Sequence, residues 1–262
     1  MRWLLIAFLM AAGWIAHAAP LAAEDWTDQR EFGRFQLRAN FPLSGHDPLI
    51  EQLEQLDRDI QQLIARPLAN APAATPIHLI LFADRESYAT YLNRYFPGAP
   101  IRRALFIQGS APGWVFAYQN RDYEVDLRHE TTHALLHSQI PNVPLWLDEG
   151  LAEYFEVPSG QRVYEHPHLA KVRWNARFFR PATLESLEAL DDVRQMGPAE
   201  YRAAWAWIHF LLHGPGAGRE TLVQYLADLE TPASAERLAS RLRAAVPDLE
   251  SEFLNHFRNW SR

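Results

Sequence analysis

Two histidines four residues apart, with a glutamate directly after the first, stand at His129-Glu130-Thr131-Thr132-His133. On a helix, residues at that spacing lie one above the other, so both imidazoles can reach one metal ion from a single face. The intervening glutamate points into the same neighbourhood, where a carboxylate can take a proton from water at the metal. Two ligands do not complete such a site, because catalytic zinc usually takes three from the protein and leaves a position for water. Glu149, in the run Trp146-Leu147-Asp148-Glu149-Gly150-Leu151-Ala152-Glu153, is the candidate third. The chemistry expected of this set is hydrolysis with one zinc ion, Glu130 acting as general base and His129, His133 and Glu149 as ligands.

The elements that must position these residues follow from pattern. Asp122 to Ser138 predicts a helix, with Val125, Leu127, Thr132, Leu135 and Leu136 as candidate apolar contacts. Ile140-Pro141-Asn142-Val143-Pro144 ends it, since proline cannot continue a helix and biases its predecessor towards extended geometry. A second helix, from about Leu145 to Glu156, can start at Pro144. From His133 the chain runs about six residues down the first helix, roughly 9 Å, and from Pro144 to Glu149 it climbs about five, roughly 7 to 8 Å. Antiparallel packing, which a short connection favours, returns Glu149 to the level of His133. His137 extends the histidine face, but His129, His133 and His137 together cover about 12 Å of helix and cannot all lie about 2 Å from one zinc. It is read as a core residue or as support for the ligands. Glu153, one turn beyond Glu149, can hydrogen-bond a ligating imidazole, with Asp148 as the competitor for that role.

Over about Asp122 to Glu156 the sequence resembles the gluzincin metallopeptidases. The closest likeness is to the aminopeptidase N branch and its smaller bacterial relatives, where a W-L-x-E-G-x-A segment supplies the third zinc ligand. The resemblance implies a zincin-like catalytic domain that hydrolyses peptide bonds, with zinc held by His129, His133 and Glu149 and with Glu130 as the base. It also implies an edge strand along the cleft, for which Gly113 to Tyr118 is the candidate; the same residues read equally as a hairpin strand with core aromatics. Glu200-Tyr201-Arg202-Ala203-Ala204-Trp205 is similar to the segment in which that family starts a helix with a tyrosine that donates to the oxyanion. Tyr201 is therefore a catalytic candidate by resemblance, and by spacing alone it could equally be a core aromatic beside Trp205.

Composition bounds the alternatives. The chain has 262 residues, 48% of them hydrophobic, enough for a sizeable core in one domain or in one domain with two lobes. A net charge of −7, with no extended basic stripe, argues against a nucleic-acid partner. Cysteine is absent, which excludes disulfides and thiolate metal sites. Arg2, the apolar stretch from Trp3 to about Ala16, and Ala16-His17-Ala18 predict a signal peptide over residues 1–18. The stretch is short for a bilayer span, so cleavage is favoured over an uncleaved anchor. The expected location is the periplasm or the secreted fraction, with no stable membrane insertion after cleavage and a peptide or protein as substrate.

Alternating and helical patterns predict an α+β fold. Strands are expected at Phe35–Phe41, Ile77–Phe82, Ala104–Ile107 and Trp114–Tyr118, and helices at Asp47–Ala65 and at Arg85–Tyr95 behind an Asp84 cap. Pro158 to Pro181 reads as a polar, aromatic loop. Helices then follow at Pro198–His213, Glu220–Glu230, Ala233–Ala245 and Asp248–Trp260. This divides residues 19–262 into a sheet lobe with the metal helix, about 24–156, and a helical lobe, 157–262. His166 and His168, and the pair His209 and His213, could be ligands but read more simply as structural. The competing function is a non-catalytic exported scaffold braced by metal, or a zinc hydrolase acting on a non-protein amide.

Overall fold

A computed structural model describes residues 25–64, 75–108, 113–140, 142–178, 182–229 and 236–261. The expected signal segment and residues 109–112 lie outside them. The fold is α+β, and the chain divides into two compact units, residues 25–60 with 75–138 and residues 61–64 with 139–261.

The first unit is built on a mixed sheet. Its strands are β1 (Asp28–Phe32), β2 (Phe35–Ala39), β3 (Ile77–Phe82), β4 (Ala104–Ile107) and β5 (Gly113–Tyr118). Their order is β1-β2-β3-β5-β4, with the central pairs parallel and both edge strands antiparallel to their neighbours. The tight turn between β1 and β2 uses Gly33 at a φ of 52°, a conformation that costs glycine little. Every residue of β3 is buried, as a central strand covered on both faces requires. Parallel neighbours need crossovers, and helix α1 (Asp47–Ile64) and helix α2 (Arg85–Tyr95) supply them. Asp84 caps α2 by accepting from the Ser87 amide at 2.8 Å. One face of the sheet packs Ile80, Leu105, Trp114 and Phe116 with Tyr88, Tyr91 and Leu92 of α2. On the alternate residues of β4 and β5 lies α3 (Tyr123–His137), the helix that carries the histidine pair.

The second unit is helical: α4 (Leu145–Phe155), α5 (Leu169–Phe178), α6 (Leu184–Glu188), α7 (Pro198–His213), α8 (Gly216–Asp228), α9 (Leu238–Ala245) and α10 (Leu249–Asn259). Helix α7 is its axis. Trp205, Ala206, Trp207, Ile208, Phe210 and Leu211 are all buried, so α7 is apolar on every side and is wrapped by α4, α8, α5, α6 and α10. Pro198 opens it, Glu200 returns to accept from the Gly197 amide at 2.8 Å, and Gly214 ends it.

Two sequence expectations need correction, and one strand was not expected. The segment read as a loop from Pro158 to Pro181 contains α5, because Leu169, Val172 and Ala176 make a narrow buried stripe inside a polar stretch. Strand β1 carries no apolar alternation in the sequence, because its side chains alternate between exposed and half-buried and include three charges. Gly113–Tyr118 is not an edge: β5 lies between β3 and β4, so the free edge beside α3 belongs to β4.

Candidate metal centre

Helix α3 is seated against β4 by one line of acids. Asp122, Asp126 and Glu130 recur every four residues and so share a face. Arg103, just before β4, donates to Asp122 Oδ2 at 2.6 Å and to Asp126 Oδ1 at 2.9 Å. Three residues on, the backbone amide of Phe106 donates to Glu130 Oε2 at 2.7 Å, and the bond is buried. The Phe106 ring also stacks on His137, with centroids 5.9 Å apart. On the far side of α3, Arg128 donates to Gln52 of α1 at 2.7 Å. Hydrogen bonds to charged groups contribute about 1.5–3 kcal/mol each, so this lattice fixes the rotation and height of α3 and gives the Glu130 carboxylate one orientation.

His129, Glu130 and His133 are buried, at 0%, 2% and 1% exposure. Glu149 in α4 is equally buried at 1%. One ligand atom from each of His129, His133 and Glu149 lies within 4.8 Å of the others, so the residues singled out from spacing come together. Donor atoms on a tetrahedral zinc are about 3.3 Å apart, a difference that side-chain rotation closes. Two imidazoles and a carboxylate are a donor set suited to zinc and other divalent transition metals. Two further groups meet the same distance among the described residues: His133 with His137 and Asp148, and His129 with Glu153 and Glu156. The first of these is a second histidine pair at i, i+4, but Ala134-Leu135-Leu136 between its histidines offers no base. Only the His129, His133 and Glu149 set has a carboxylate in the intervening turn.

Helix α4 is held to α7 by a close approach beside Glu149. A Cβ added to Gly150 would lie 2.9 Å from the Ala204 carbonyl oxygen and from Ile208 Cγ1. Gly150→Ala is therefore expected to destabilise the protein by about 1–3 kcal/mol, even though alanine is the better helix former by about 1 kcal/mol. Metal affinity should drop with it, because α4 must back away from α7 and take Glu149 along. Thermal melts and metal titration check this, and a more stable Gly150→Ala would show that the approach is not tight. Tyr201 lies in the first turn of α7, one turn before Ala204, and is buried.

The remaining histidines are pinned elsewhere. Glu153 receives His168 Nε2 at 2.8 Å through its carboxylate and His166 Nε2 at 2.8 Å through its backbone carbonyl. His166 stacks on Trp205. His209 donates from Nε2 to the Val163 carbonyl at 3.0 Å, because a carbonyl only accepts; its Nδ1 then accepts from His256 Nε2 at 3.0 Å. His213 Nε2 is 2.8 Å from the Tyr154 hydroxyl. None of these five histidines joins a metal-capable group among the described residues. Nothing local in the sequence ties His168 to Glu153 or His209 to His256; the partners lie 15 and 47 residues apart.

Burial pushes His166, His213 and His256 down to about 4 and His209 to about 3. The ordinary value is about 6.5 in an unfolded chain, so the fold favours the neutral rings. Their contribution is complete above about pH 6.5 and is lost progressively as pH falls towards 4. Melts of the chelated protein across that range should show Tm falling continuously, independently of any metal release. A flat Tm would contradict the buried, neutral assignment.

The chain matches no known protein-family model and no curated protein.

Proposed function

We propose that this protein is a zinc-dependent hydrolase of peptide bonds, with a zincin-like site of the kind its sequence resembles in the gluzincins. The observation that carries the reading is a buried carboxylate, Glu130, in the turn between two buried histidines whose ring nitrogens lie within 4.8 Å of a Glu149 oxygen. A neutral acceptor could meet the Phe106 amide at a lower desolvation cost than a buried carboxylate, so a metal brace alone does not account for Glu130. His129, His133 and Glu149 would hold the ion, which when bound polarises a scissile carbonyl and lowers the pKa of water.

The chain's own residues supply the rest. Glu130, aimed by the Phe106 amide at one oxygen, takes the proton from the attacking water and passes it to the leaving amine. Tyr201 is the proposed donor to the oxyanion, a group worth most where charge develops. The apolar N-terminal stretch supports an exported location, with peptides or proteins of the periplasm or the surroundings as substrates.

The test is cleavage of a diverse peptide library by the purified protein, before and after chelation and with zinc restored. Cleavage should vanish with the metal and return with zinc. Cleavage by the chelated protein would overturn the reading, and zinc-loaded protein inert on every peptide would favour the scaffold or another amide. Tyr201→Phe is expected to lower kcat about 10- to 1000-fold with zinc content and melting unchanged. An unaltered kcat would return Tyr201 to the core.

A further inference from the structure

Helix α5 presents an outer face unlike the rest of the surface. At about 100° per residue, its buried residues Leu169, Val172 and Ala176 share one side of the wheel. The opposite side holds Ala170, Lys171, Trp174, Arg177 and Phe178, all exposed. Trp174 and Phe178 are 53% and 62% exposed, the two most exposed large apolar side chains among the described residues, and their rings lie 4.6 Å apart. Lys171 and Arg177 flank them, and Arg173 adds a third cation to the helix. The helix has no acid, although the chain as a whole carries a net charge of −7. Leaving two adjacent aromatics in water is unfavourable, and nothing in the packing of α5 on α7 and α10 requires them to face outwards.

The geometry points to a docking surface for an anionic lipid bilayer, on which α5 lies flat with Trp174 and Phe178 at the acyl boundary and with Lys171 and Arg177 on the headgroups. Aromatic rings with a wide apolar body settle at that depth, and cations beside them gain from a negative surface. Charge complementarity selects the occupant: the same acid-free, cationic face of a second copy would repel this one across a two-fold contact, whereas phosphatidylglycerol attracts it. No helix among the described residues is long and apolar enough to cross a membrane, and α5, at 10 residues, can only lie on the surface. The inference is independent of the metal centre.

The full chain has no cysteine, so Ala170→Cys places a single environment-sensitive fluorophore on this face, and Glu51→Cys places one on an exposed position of α1 as a control. With vesicles of equimolar phosphatidylglycerol and phosphatidylcholine, the label at 170 should shift to the blue and the label at 51 should not. Pure phosphatidylcholine should give no shift, and high salt should reverse the effect. Lys171→Gln combined with Arg177→Gln should weaken vesicle binding at this label about 25-fold, from about fivefold for each surface charge. Trp174→Ser combined with Phe178→Ser should also weaken it without changing the circular dichroism. An unshifted label at 170 on vesicle-bound protein would overturn the proposal, because attachment would then run through another part of the chain. An equal shift with neutral vesicles would overturn the role of charge. A concentration-dependent shift without vesicles would make the face a contact between copies instead.

Discussion

Glu130→Gln is expected to keep its metal and lose turnover by about two to four orders of magnitude. The glutamine preserves shape and can still meet the Phe106 amide through its carbonyl oxygen, so the seating of α3 against β4 should persist. What disappears is the proton acceptor, and general-base catalysis contributes about 100- to 10,000-fold. The charge-paired partners of α3, Asp122 and Asp126 with Arg103, are untouched, so Tm should move little. Steady-state kinetics with metal analysis and a melt check all three points. Turnover near the wild-type rate would remove Glu130 from the mechanism.

Glu149→Ala is expected to act at the other level, on the metal itself. Loss of a group that merely orients a ligand costs about 10- to 100-fold in metal affinity, so loss of a ligand should cost at least about 100-fold. Alanine leaves the packing of α4 on α7 intact, because the close approach there belongs to Gly150. The two substitutions therefore separate: one protein loaded and inert, the other inert because it is empty. Competition titration against a zinc chelator reads the second effect. Unchanged affinity in Glu149→Ala would mean that the third ligand lies elsewhere, with Asp148, Glu153 and Glu156 the carboxylates in the other metal-capable groups.

The parts of the site that could be read in the sequence are those whose information is local. The helix of His129 and His133, its end before Pro144 and the restart at Leu145 follow from periodicity and proline chemistry, and the structure has α3 at Tyr123–His137 and α4 at Leu145–Phe155. Residue counting along a short connection was enough to bring Glu149 to the pair. The rest depends on contacts distant in the chain. Strand order decides which strand is an edge, and neither β4 nor β5 carries a mark of it. The donor that orients Glu130 is a backbone amide, which every residue but proline possesses, so no side chain announces Phe106. Helix α5 hid because only three of its ten residues are buried. The set of His133, His137 and Asp148 has a different origin: three stacked histidines cannot share one ion, but two of them can meet a second carboxylate one residue before Glu149.

That second set defines the most direct test of the account, since two adjacent sites share His133 and only one has a base beside it. Crystals of the zinc-loaded protein, measured on both sides of the zinc absorption edge, locate the ion by its anomalous signal. The account expects a single ion about 2 Å from a nitrogen of His129, a nitrogen of His133 and an oxygen of Glu149. An ion bound by His133, His137 and Asp148, or no ion at either position, would contradict it.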